Sequence, residues 1–109
     1  MTNARIVVTT LNDINLAKQL AIRLVELRLA ACVNLVERVH SIYRWQGEVE
    51  SSDEVLLIIK TAAERVSALK DTIAQLHPYQ VPELLVLEVA DGSDKYLEWL
   101  LAESRDEPK

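Results

Sequence analysis

A chain of 109 residues, half of them hydrophobic and 27% charged, is long enough to bury one modest core and is expected to form a single domain over residues 1–109. Its net charge of −5 and pI near 5.0, with no run of basic residues, exclude nucleic acid as a partner, because phosphate binding needs a basic footprint. No apolar stretch approaches membrane-spanning length, Met1-Thr2-Asn3-Ala4-Arg5 lacks the apolar core of a signal peptide, and the lone Cys32 rules out an intrachain disulfide, so the cytoplasm is the expected location.

Arg5 to Thr10 is a β-rich run, apolar on both faces. Asn12 or Asp13 then supplies a helix cap, and Ala17, Leu20, Ala21, Leu24 and Leu27 recur at helical spacing, with an end expected around Arg28 to Ala30. Cys32 to Thr61 reads as two long strands around a tight turn, since Ile42, Tyr43, Trp45 and Val49 flank a single Gly47. The apolar alternation stumbles at Glu37-Arg38, which predicts a bulge. In the outgoing limb Val55, Leu57 and Ile59 point one way while Leu56 and Ile58 point the other, so both faces need cover.

Thr61-Ala62-Ala63-Glu64 has the form of a capping box, followed by the stripe Val66, Leu69, Ile73 and Leu76. His77-Pro78 stops that helix, and Tyr79-Gln80-Val81-Pro82-Glu83 is a connector stiffened by proline. Leu84 to Val89 is the last strand. Asp91-Gly92-Ser93 turns the chain into a short helix carrying Tyr96, Leu97, Leu100 and Leu101, and the polar tail from Glu103 to Lys109 is expected to fray.

The order β-α-β-β-α-β plus a terminal helix predicts an α+β, ferredoxin-like sandwich, with both main helices on one face of an antiparallel sheet. The other face remains apolar, a patch larger than a monomer ordinarily exposes. The hairpin is about twice as long as the remaining strands, so its tip, bearing Ile42, Tyr43 and Trp45, overhangs the sheet. Both features predict a homo-oligomer.

Three motifs resemble the CutA family of divalent-cation tolerance proteins. They are Ser41-Ile42-Tyr43-x-Trp45-x-Gly47-x-Val49, Ile59-Lys60-Thr61, and His77-Pro78-Tyr79-Gln80-Val81-Pro82-Glu83. Cys32-Val33-Asn34 and Tyr96-x-x-Trp99 also match, and the resemblance runs from about Ala4 to Ala102. It implies a ferredoxin-like fold, a homotrimer similar to the PII signalling proteins, and a role in tolerance to copper and other divalent metals, with no required cofactor. The chain departs from the family at several points. Glu37-Arg38 replaces a frequent Pro-Gly, and Gln46 and Gln80 stand where Glu is common. Thr9 and Leu76 replace a Cys and a His of some bacterial members, which leaves His77 alone of those copper-ligand positions.

A divalent metal needs converging His, Cys or carboxylate donors, and the candidates are His77 and Cys32, then His40, Glu50, Asp53 and Glu54. None has a recognised ligand spacing. The competing reading makes Cys32 a small buried hydrophobe and His77 a cation at a helix C-terminus. Catalysis by Cys32 and His77 is not expected, since Ala30-Ala31 and Val33 offer no charge to activate a thiol and the two glycines build no oxyanion turn. The chain is therefore read as no enzyme. Tyr43, Trp45, Tyr79, Tyr96 and Trp99 are read as interface packing before an aromatic cage. A polar cleft between subunits, lined by Lys60, Glu54, Tyr79 and Glu83, is the candidate small-ligand site, with Lys60 expected to pair with a carboxylate. The rival to a metal-responsive binding or signalling module is a structural or protein-interaction trimer with no direct metal role.

Overall fold

The computed structural model describes residues 1–106. Its elements are β1 (Ala4–Leu11), α1 (Ile14–Glu26), β2 (Cys32–Trp45), β3 (Glu48–Ala62), a 3-10 turn (Ala63–Arg65), α2 (Val66–Leu76), β4 (Leu85–Glu88) and α3 (Asp94–Glu103). The four strands form one antiparallel sheet in the order β2-β3-β1-β4, the ferredoxin-like arrangement.

Asp13 caps α1, its carboxylate accepting from the backbone N–H of Asn15 at 2.8 Å and of Leu16 at 3.2 Å. At the other end Arg28 takes a left-handed φ of 58°, which turns the chain towards β2. Leu20 and Leu24 of α1 and Leu69 and Ile73 of α2 bury against Val7, Leu57 and Ile59 of the sheet. The α2 stripe is narrower than the sequence pattern, for Leu76 is exposed.

Register assigns the faces. Val7 and Val33 flank Ile59 on the helix-covered side; Val8, Ile58 and Leu85, with Leu56 and Val36, share the other. α3 covers only one end of that second face, where Leu100 meets Ala4 and Ala31. Beyond it Ile6, Val8, Leu56 and Ile58 are half-buried, and Leu85 and Leu87 remain 58% and 52% exposed.

β1 pairs with β3 only from Val55 to Ala62, while β2 follows β3 to its tip. The seven pairs from Val39–Glu54 to Trp45–Glu48 therefore overhang the sheet, by roughly 20 Å at about 3.3 Å per residue. Gln46 and Gly47, both at positive φ (51° and 82°), close the tip in the two-residue geometry that suits strand twist. The expected bulge lies between Val36 and Val39, with Arg38 at φ 62°.

Two expectations are corrected. Thr61 does not cap a helix. Its hydroxyl donates to the Leu29 carbonyl at 2.7 Å, in a fully buried position, and the following turn and α2 start without side-chain caps. The cause is that β3 continues through Ala62, so Thr61 points into the core under the α1–β2 connection and away from the helix start. The tail does not fray at Glu103. Ser104 is buried, Arg28 donates to the Arg105 carbonyl at 3.0 Å, and Arg65 pairs with Asp106 at 3.0 Å. Residues 107–109, the rest of that expectation, lie outside the described residues.

Thr61→Val keeps the shape but leaves the buried Leu29 carbonyl unpaired, and is expected to cost about 1–3 kcal/mol. Urea unfolding at fixed protein concentration measures it; a loss within a few tenths of a kcal/mol, roughly the scatter of a neutral surface change, would show that water or another donor replaces the hydroxyl.

Candidate functional site

The connector between α2 and β4 positions the site. Proline at 78 forces His77 out of the helix into an extended conformation (φ −76°, ψ 135°), which carries Tyr79 across the end of β1. His77 anchors the crossing and is 7% exposed. Its Nε2–H donates to the Thr10 carbonyl at 2.7 Å, and its Nδ1 accepts from the Tyr79 backbone N–H at 3.1 Å. These partners define the neutral tautomer with the proton on Nε2, and they occupy both ring nitrogens. The two rings meet edge to face, centroids 4.7 Å apart.

So held, Tyr79 donates its hydroxyl to Glu54 Oε2 at 2.8 Å. Glu54 is the first β3 residue beyond the stretch paired with β1, opposite Val39, and is 8% exposed. Burial first, then the hydrogen bond and negative charge of Glu54, hold the Tyr79 phenol well above its ordinary value of 10.0. Around the pair opens a cavity of about 630 Å³, walled by Tyr43 and Trp45 of the hairpin and by Val81 and Glu83 of the connector.

Three of the four residues expected at a ligand cleft thus come together: Glu54, Tyr79 and Glu83. Lys60 does not join them within one chain. It lies six residues along β3 from Glu54, roughly 20 Å at about 3.3 Å per residue. Within one chain Lys60 forms no ion pair among the described residues, and its Nζ sits 6.0 Å from the Tyr96 ring centroid. Residue type had pointed to Tyr43 and Trp45 as interface groups; the fold also makes them walls of this cavity. Only their pairing with Glu50 and Glu48 across the hairpin brings them there, and that register depends on the Glu37-Arg38 bulge.

The model of the CutA1 divalent ion tolerance protein family matches residues 5–103. The chain belongs to the CutA1 family. It is 47% identical over 95 residues to the divalent-cation tolerance protein CutA of Thermus thermophilus, covering 87% of this chain and 92% of that one. Human protein CutA is 48% identical over 84 residues, 77% of this chain but 47% of the human protein, so the chain spans about half the length of such animal relatives. Among solved structures, the Thermus thermophilus protein superposes with a TM-score of 0.91 at 44% identity, covering 94% of this chain and 99% of its own. CutA1 from Oryza sativa gives 0.93 at 38% identity, covering 97% of each chain.

The metal donors expected from the sequence do not converge. Cys32 stands opposite Lys60, whereas His77 is bonded to Thr10, which stands opposite Leu56. That is four residues apart along β3, roughly 13 Å at about 3.3 Å per residue. His40 pairs with Asp53 on the exposed hairpin, away from both. Among the described residues no three of His, Cys, Asp or Glu gather to hold an ion, so the donors of one chain do not fit a built metal centre.

The raised Tyr79 phenol has a readable consequence. The folded chain keeps a proton that the unfolded chain releases near pH 10.0, so the stability contributed by this group is complete below that pH and declines as pH rises through it. Subtracting the phenolate absorbance titration of Tyr79→Phe from that of the wild type isolates Tyr79, and its midpoint is expected above 10.0. A midpoint at or below 10.0 would mean that neither the burial of Tyr79 nor its bond to Glu54 holds in solution.

Proposed function

We propose that this chain acts as a single-domain, homotrimeric CutA1 module that responds to divalent cations, copper among them, by binding or signalling and not by catalysis. The observation that carries the trimer is the combination of an uncovered apolar sheet face with an overhanging hairpin whose tip residue Ile42 is 76% exposed. Together they form a surface that a neighbouring copy with the same hairpin can cover. The name of the family carries the response to metal. Catalysis is set aside because Cys32 lies beside Lys60 and His77 beside the Thr10–Leu56 pair, four residues apart along β3, so the thiol does not meet the ring.

Metal contact in this reading is weak and made by separate donors. Cys32 offers a partly exposed thiol, and His77 offers a ring nitrogen only by giving up its bond to Tyr79 or Thr10. That scatter of donors also favours the second reading, a structural or protein-interaction trimer whose effect on metal tolerance is indirect. The cytoplasm as compartment rests on the single free thiol, which suits a reducing environment. One plant relative is named chloroplastic and one archaeal neighbour is titled periplasmic, so compartments differ within the family.

Copper titration of the tag-free trimer separates the two readings. Saturable binding that weakens in His77→Ala or Cys32→Ser supports direct engagement; a trimer with no saturable binding supports the structural role.

Assembly has its own test. Sedimentation equilibrium is expected to return three times the 12.3 kDa chain mass at micromolar concentration, and a 12.3 kDa species would overturn the proposal. Trp45→Ala removes an aromatic anchor from the hairpin tip, and such anchors at interface centres are worth about 2 kcal/mol or more. Assembly should weaken at each of the symmetric contacts, while the α1, α2 and β3 core keeps its far-ultraviolet circular dichroism. A variant that stays trimeric with unchanged stability would place the tip free in solvent.

A further inference from the structure

We infer that Arg28 and Arg65 form a clasp that fastens α3 over the end of the second sheet face, and that α3 is a lid that opens on its own once the clasp is released. The helix needs a fastening because its own packing is thin. Of its ten residues Leu100 is the buried one, resting on Ala4 and Ala31 with Leu97 and Leu101 packed beside it. Tyr96 and Trp99 meet each other, ring centroids 5.6 Å apart, and stay 43% and 45% exposed. An element with so few buried apolar contacts lies at the low end of local stability. Opening lifts Tyr96 away from Lys60 and bares Ala4 and Ala31.

The clasp reaches α3 from the other helical layer, for Arg28 stands just past α1 and Arg65 just before α2. The Arg28 guanidinium donates to the carbonyls of Ala102 at 2.9 Å and Arg105 at 3.0 Å, and lies 3.8 Å from the Glu103 carboxylate. The last carbonyls of a helix lack partners within it, and its dipole favours a cation at that end. Arg65, its side chain 13% exposed, donates to the Arg28 carbonyl at 3.3 Å and the Leu27 carbonyl at 3.5 Å, and pairs with Asp106 at 3.0 Å. It thus braces the turn that presents Arg28 and grips the end of the chain beyond α3. The Arg28 backbone points the same way. Its φ of 58° is a left-handed conformation that glycine adopts freely and a residue with a side chain adopts at a cost. Such strain persists where the surrounding structure holds it, and here the guanidinium contacts do so. All of these contacts lie within one chain, so the inference rests on neither the metal reading nor the trimer.

Hydrogen–deuterium exchange of the native full-length protein, read by mass spectrometry, tests the clasp. Arg28→Gly relaxes the backbone at φ 58° while removing the guanidinium, so backbone and side chain predict opposite results. With a clasp, the α3 amides are expected to exchange about tenfold or more faster, the scale of losing charged hydrogen bonds, while β3 amides from Val55 to Thr61 keep their rates. Asp106→Ala, at a side chain 84% exposed, leaves the fold intact and serves if Arg28→Gly does not fold; it should speed α3 exchange several-fold at low salt and less at high salt. Three results overturn the proposal. The first is α3 exchange unchanged or slowed in Arg28→Gly. The second is α3 and β3 exchange raised by one common factor, which would make Arg28 a support of the whole fold. The third, where only Asp106→Ala folds, is α3 exchange equal to that of the wild type at low salt.

Discussion

Strand β3 is the one element on which the rest of the molecule depends. Its second half forms eight successive pairs with β1, from Val55–Leu11 to Ala62–Ala4, while it pairs with β2 from Glu48 to Lys60. Within the paired half, Leu57 and Ile59 are fully buried under the helices, and Leu56 and Ile58 are only half-buried on the opposite side. Where β1 ends, β3 does not, and Glu54 sits at that boundary. One strand thus supplies the core, the uncovered face, the overhang and the acid of the cavity, because its neighbours on its two edges differ in length.

The α2–β4 connector converts that boundary into a site. A histidine with both nitrogens engaged between a β1 carbonyl and the Tyr79 backbone is a fixed strut, and Pro78 and Pro82 limit the connector's alternatives. The strut aims a phenol at Glu54. The resulting hydrogen bond, 2.8 Å to Oε2, ties the connector to the boundary of β3.

The same geometry changes how a role in divalent-cation tolerance is to be pictured. Donor types associated with soft metals are present, but β-sheet register holds Cys32 and His77 apart, and the helix-terminal histidine is employed in holding the connector. Association with a second chain can bring distant parts of the sheet together, since a cyclic assembly sets one end of a subunit's face against another part of its neighbour. Within one chain Lys60 lies over Tyr96, without a carboxylate partner among the described residues.

Much of this was legible in the residues themselves. Alternation marked Leu56 and Ile58 as facing away from Leu57 and Ile59, the stumble at Glu37-Arg38 marked the bulge, and Asp13 and His77-Pro78 marked the bounds of helices. These are local rules, acting over a few residues, and a sequence displays them directly. The order of elements implied the ferredoxin-like sheet because handedness leaves few other paths. What the sequence could not decide were questions of partner choice between distant residues. Thr61 has the spacing of a capping box, yet its hydroxyl goes to Leu29, thirty-two residues earlier, because β3 extends one residue past it and turns that side chain into the core. Glu54 and Tyr79 are twenty-five residues apart and carry no shared motif, and only the crossing of the connector over the end of β1 makes them a pair. Hydrogen-bond partners in a core are assigned by which groups burial leaves without water, and that is a property of the packed chain, not of any stretch of it.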